Sequence, residues 1–225
     1  MIKAVLFDLD GTLLNRDASV KNFLLNQYER FIYYLGHIKK DMYISRFIEL
    51  ECRGYVWKDK VYQQLIDEFT IQGLSPDELL NDYVQHFKEH CVPFPNLIEM
   101  LKELQNQSIS LGLITNGLGQ FQMENIRALG IEKYFQVILV SEWEGIKKPN
   151  AEIFFKAINS LGVLPNESFY VGDHPENDIL AAQAIGMLGI WKKDTQWDHV
   201  DSDFTIQNLA EIPHLIHSLT PKNCI

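Results

Sequence analysis

Hydrophobic and polar positions follow two rhythms along this chain. From Asn15 to about Val92 they recur at helical spacing. Phe23, Leu24, Gln27, Phe31, Tyr34 and Leu35 form a stripe closed by Gly36, and Met42–Leu50 and Val61–Phe69 form two more. Ser75-Pro76-Asp77-Glu78 reads as an N-cap, a first-turn proline and early acids, opening a helix through Leu79, Leu80, Tyr83, Val84 and Phe87. Residues 15–92 are therefore expected to be an all-helical insertion.

On either side the rhythm changes to short apolar strands alternating with helices. A buried strand begins near Ile2 and is followed by Asp8. After Pro93-Phe94-Pro95 come a helix with Leu97, Met100, Leu101 and Leu104 on one face, a strand from Ile109 to Thr115, a helix from Phe121 to Leu129 and a strand from Val137 to Val140. A helix from Ala151 to Leu161, a strand from Phe169 to Val171, a helix from Asp178 to Ile185 and a strand from Leu188 to Trp191 complete the run. Such alternation predicts an α/β fold, a parallel sheet covered on both faces, made from residues 1–14 and 93–225. Thr220 to Ile225 reads as a frayed tail.

Composition narrows the function more than the fold. The 225 residues are 46% hydrophobic, enough for a full core, and the net charge of −10 argues against a nucleic-acid partner. Cys52, Cys91 and Cys224 are odd in number and far apart, so neither a disulfide framework nor a structural zinc site is expected. No segment suits a signal peptide or a bilayer span, so the expectation is a soluble cytoplasmic protein, monomer or homodimer, with no membrane partner.

Candidate chemistry sits where the strands end. Asp8 and Asp10 follow the first strand, with Gly11 and Thr12 at the turn. Thr115-Asn116-Gly117 follows the second strand. Ser141 and Glu142 follow the third, with Lys147-Lys148-Pro149 shortly after. Gly172-Asp173-His174-Pro175-Glu176-Asn177-Asp178 follows the fourth. Taken singly, each could be a turn or a solvated loop. Together they converge on the edge where parallel sheets bind ligands. If Asp8, Asp10, Asp173 and Asp178 meet, each like-charged pair costs on the order of 4 kcal/mol at about 4 Å. That cost demands a cation or raised pKa values, and oxygen-only donors suit Mg²⁺.

Four segments in this order resemble the haloacid dehalogenase-like hydrolases, in the subgroup with a helical cap between the first and second motifs. Asp8-Leu9-Asp10-Gly11-Thr12 is similar to the first motif, and Thr115 of Leu113-Ile114-Thr115-Asn116-Gly117 to the second. Lys148 of Lys148-Pro149 matches the third, and Gly172-Asp173 with Asn177-Asp178 the fourth. His174 departs from the small hydroxyl residue often found there.

The resemblance implies a doubly wound, Rossmann-like core with residues 15–92 as cap, hinged near Asn15 and Pro93–Pro95. It also implies a Mg²⁺-dependent phosphatase of a small phosphorylated metabolite. Asp8 would be the nucleophile that becomes an aspartyl phosphate, and Asp10 the general acid and then base. Lys148, the Thr115 hydroxyl and the Asn116 backbone amide would hold the phosphoryl group. The Asp8 side chain, the Asp10 carbonyl and Asp173 would hold the metal, with Thr12 in support and Asp178 acting through water or on Lys148. Asp10 counts against carbon–halogen cleavage. A phosphomutase and a non-catalytic metabolite-binding protein are the alternatives. In the cap, Arg53, Tyr55, Trp57, Lys58 and Lys60 form a basic-aromatic cluster, either a leaving-group contact or a packed inter-helix surface.

Overall fold

A computed structural model describes residues 1–219; the expected frayed tail, with Cys224, lies outside the described residues. The chain forms two compact units, one of Met1–Asn15 and the stretch from Pro93 onward, the other of Arg16–Val92. No helix among the described residues is long and apolar enough to cross a membrane.

Every element of the Arg16–Val92 unit is helical. Its α-helices are α1 (Arg16–Arg30), α2 (Ile32–Leu35), α3 (Lys40–Glu51), α4 (Lys58–Phe69) and α5 (Pro76–His86). The capping box of α5 forms as its sequence predicts: Glu78 N donates to Ser75 Oγ, and the Glu78 carboxylate accepts from Ser75 N at 2.8 Å. The stripe from Phe23 to Leu35, expected as one helix, divides between α1 and α2. Tyr28 Oη donates to the Ile38 carbonyl at 2.6 Å and ties the segment after α2 to α1. Gln27 sits in the apolar stripe yet is fully buried. Its Nε2 donates to Leu79 O and Asp82 Oδ2, while its Oε1 accepts from Tyr62 Oη at 2.9 Å, so the buried amide is satisfied.

The other unit is built on six parallel strands in the order β3-β2-β1-β4-β5-β6. They are β1 (Ala4–Phe7), β2 (Ser110–Thr115), β3 (Val137–Val140), β4 (Ser168–Gly172), β5 (Leu188–Lys192) and β6 (Phe204–Ile206). The accompanying helices are α6 (Leu97–Asn106), α7 (Gly119–Ala128), α8 (Ser141–Glu144), α9 (Ala151–Leu161), α10 (Ala181–Ala184) and α11 (Glu211–Leu219). Every residue of β1 and β4 is buried, the pattern of central strands covered on both faces. Ile153, Phe154, Ala157 and Ile158 of α9 pack on Ala4, Leu6, Ile114 and Tyr170.

The order reverses between β1 and β4, which makes that crevice the switch point of a doubly wound sheet. Phe7 stands opposite Leu113 on one side and Val171 on the other, so Asp8, Thr115 and Asp173 lie at neighbouring strand ends. β6 and α11 were not expected. A three-residue strand among acidic residues is too short to show a period.

Candidate active site

The loop after β1 begins the site. Asp8 N donates to Val171 O at 2.9 Å, and Leu9 O accepts from the backbone N–H groups of both Leu13 and Leu14, closing a tight turn. Gly11 sits at φ +86°, and a Cβ there would lie 2.2 Å from Asp173 Oδ2. Only glycine lets this turn pass over Asp173. Lys192 Nζ, at the end of β5, donates to Gly11 O at 3.0 Å, and its ammonium lies over the Phe94 ring.

Lys148 stands at the centre of the ionic cluster. Its Nζ donates to Asp8 Oδ1 at 2.6 Å, Asp178 Oδ1 at 2.6 Å and Tyr170 Oη at 3.0 Å. Tyr170 Oη in turn donates to Ile114 O. The Asn116 side chain clamps the lysine's backbone: Asn116 Nδ2 donates to Lys148 O at 3.0 Å and Lys148 N donates to Asn116 Oδ1 at 2.9 Å. Asn116 is therefore more than a turn residue. Its side chain fastens the lysine loop to the end of β2.

The segment after β4 supplies the remaining acids. A Cβ on Gly172 would lie 2.4 Å from Asp178 Cβ, so the glycine admits Asp178 against the strand end. The helical segment here opens as a π-type turn at Pro175, not at Asp178 as its sequence suggests, because His174 caps it. His174 Nδ1 accepts from Glu176 N and Asn177 N, both at 3.1 Å. The imidazole nitrogen thus does what a hydroxyl oxygen does at an N-cap. Burial lowers the His174 pKa, which keeps the ring neutral and able to accept. Asp178 Oδ2 accepts from His174 N at 3.0 Å.

Carboxylate oxygens of Asp8, Asp173 and Asp178 lie within 4.8 Å of one another, a group able to hold a metal ion. Burial, followed by the charges of Asp178 and Asp10, pushes Asp8 up to about 7 although Lys148 pulls it down. Burial and the charges of Asp8 and Asp178 raise Asp173 well above its ordinary value. Lys148 stays charged: burial works against the ammonium, but Asp178 and Asp8 raise its pKa well above the usual lysine value. Three carboxylates beside one ammonium leave negative charge uncompensated, an excess that a divalent cation would remove. The donors are all oxygens, so the site fits a hard ion.

Asp10 does not join this group, contrary to the expected meeting of four acids. Its Oδ2 accepts from Gln122 Nε2 at 2.7 Å, and the same Nε2 donates to Thr115 Oγ1 at 2.6 Å. Thr115 is buried at the end of β2, and Thr12 is buried with its hydroxyl making no hydrogen bond among the described residues. In the helical unit Lys58 of the basic-aromatic cluster takes the inter-helix alternative. It is buried, with Nζ 2.6 Å from Glu51 Oε2, while Tyr55 and Trp57 remain exposed. The residues not foreseen are Tyr170, Gln122 and Lys192.

A doubly wound sheet with an acid-and-lysine cluster at its switch point defines a class of catalytic α/β protein. The family model for haloacid dehalogenase-like hydrolases matches residues 5–191, and this chain belongs to that family. It is 40% identical to the glyceraldehyde 3-phosphate phosphatase of Methanopyrus kandleri, over 97% of this chain and 99% of that one. To the protein of the same name from Methanocaldococcus jannaschii it is 30% identical, again over 97% and 99%. Among solved structures, a HAD phosphatase from Thermococcus onnurineus superposes with a TM-score of 0.67 at 28% identity, covering 96% of this chain and 98% of that one.

Proposed function

We propose that this chain is a Mg²⁺-dependent phosphatase that hydrolyses a small phosphomonoester through an aspartyl phosphate on Asp8. The observation that carries the proposal is the division of the acids. Asp8 shares Lys148 with Asp178 beside Asp173, whereas Asp10 is held apart, next to Thr115. The names of the two archaeal relatives point to the same chemistry.

The Asp8 carboxylate attacks phosphorus, and the ester oxygen departs with the proton of Asp10. Asp10, now ionised, takes a proton from water. That water attacks the same phosphorus, and inorganic phosphate leaves as the Asp8 carboxylate is restored. Lys148 and the Thr115 hydroxyl, with the Asn116 backbone N–H, hold the phosphoryl oxygens. The Asp8 side chain, the Asp10 carbonyl and Asp173 would hold Mg²⁺, which when bound neutralises charge on the transferring group. Residues 15–92 are the cap domain in this reading.

The test is phosphate release in Mg²⁺ from p-nitrophenyl phosphate and a panel of glyceraldehyde 3-phosphate, sugar phosphates, phosphoglycolate, nucleoside monophosphates and flavin mononucleotide. Turnover of at least one supports the proposal. Inactivity of pure, folded protein across the panel overturns it.

A further inference from the structure

The geometry points to Gln122 as a positioning residue that orients the Asp10 carboxylate and the Thr115 hydroxyl together, an inference that rests on the phosphatase reading above. Gln122 is 2% exposed on the inner face of α7. Its Nε2 donates to Asp10 Oδ2 at 2.7 Å and to Thr115 Oγ1 at 2.6 Å, which uses both amide hydrogens. Asn116 O lies farther off, at 3.4 Å. On the other side, Asn125 Nδ2 donates to Gln122 Oε1 at 3.3 Å. Turning the amide over would set its carbonyl against a carboxylate and its NH₂ against another NH₂. Room for the side chain comes from Gly117, where a Cβ would lie 2.9 Å from Gln122 Cγ.

Two consequences follow for the reacting groups. With Asp10 Oδ2 engaged by an N–H donor, the proton exchanged with the leaving group is directed to Oδ1. The Thr115 oxygen accepts from Gln122, so its own hydrogen points elsewhere and can donate to a phosphoryl oxygen. A side chain that merely glued α7 to the sheet would favour neither the acid step nor one kind of ester over another.

Leaving-group dependence separates these roles. p-Nitrophenolate departs without a proton, whereas an alkoxide needs one from Asp10. Gln122→Met keeps the volume and removes the donor. It is expected to lower kcat/KM about 100-fold for the best alkyl phosphate of the panel but less than about 10-fold for p-nitrophenyl phosphate. In an Asp10→Asn background the same change is expected to cost no more than the smaller loss seen on p-nitrophenyl phosphate, the part that runs through Thr115. If Gln122→Met does not fold, Gln122→Asn, whose amide falls short of Asp10, carries the same comparison. Equal losses on the two esters, no loss, or an undiminished loss in the Asp10→Asn background overturns the inference while an active wild type leaves the phosphatase reading standing. A wild type inactive on both esters defeats the phosphatase reading itself.

Discussion

Each unit of this molecule buries an ionic cluster, and the two are balanced in opposite senses. In the helical unit, Glu51 faces two cations. Arg16 grips both of its oxygens at 2.8 and 2.5 Å, and Lys58 lies 2.6 Å from Oε2. Burial alone would raise the Glu51 pKa, but Arg16 and then Lys58 bring it below the ordinary value. In the α/β unit, one ammonium serves Asp8 and Asp178 with Asp173 close by, and Asp8 and Asp173 are both pushed up. A cluster whose charges suit one another holds helices together. A cluster left too negative is unfavourable by itself, and that shortfall is what a cation would meet.

The largest effect is expected at the shortfall itself. Asp8→Asn should reduce turnover by about 10⁴-fold or more in a phosphate-release assay while circular dichroism stays native. Retained turnover would remove Asp8 as nucleophile. Thorough chelation should likewise abolish activity, with Mg²⁺ restoring it. Added Mg²⁺ at a hundred times its Kd should stabilise the wild type by about 2.7 kcal/mol, and Asp173→Asn by much less. Full activity in chelator would break the metal assignment.

Stability reads the contrast directly. Glu51→Gln leaves Arg16 and Lys58 uncompensated and should cost about 3 kcal/mol in urea denaturation. In metal-free protein, Asp173→Asn should be neutral or stabilising by about 1 kcal/mol, because it relieves repulsion. The reverse ranking would mean the clusters are not opposed. The Glu51 contribution also has a sign in pH. Its folded pKa is lowered, so the difference between wild type and Glu51→Gln is full above the ordinary glutamate range and disappears as pH falls through the lowered value. The smallest effect belongs to the cap. His174→Ala should cost about 1 kcal/mol in urea denaturation and His174→Ser clearly less, since serine also accepts at an N-cap.

Much of the architecture was legible because it depends on local periodicity. The Ser75–Glu78 cap, the strand ends and the acids beside them are properties of neighbouring residues, so α5, β1 and β4 lie where their sequence places them. Asp8, Thr115, Lys148 and Asp173 were legible as well, because each sits just past a strand or in a short motif. Gln122 and Lys58 were not. A glutamine on a helix and a lysine in a basic run look solvated until the fold buries them against Asp10 and Glu51.

By itself the sequence determined the type and order of most elements up to β5 and the gathering of acidic residues at one sheet edge, since both follow from hydrophobic period and motif spacing. Tertiary structure alone decided the partnerships. It drew three of the four acids around Lys148, set the fourth against Gln122, and gave His174 the work of a hydroxyl. The hydrogen bonds among them depend on which groups lie within about 3 Å of one another, and the three acids on oxygens within 4.8 Å. Residues far apart in the chain acquire such distances only when the sheet and its helices have packed.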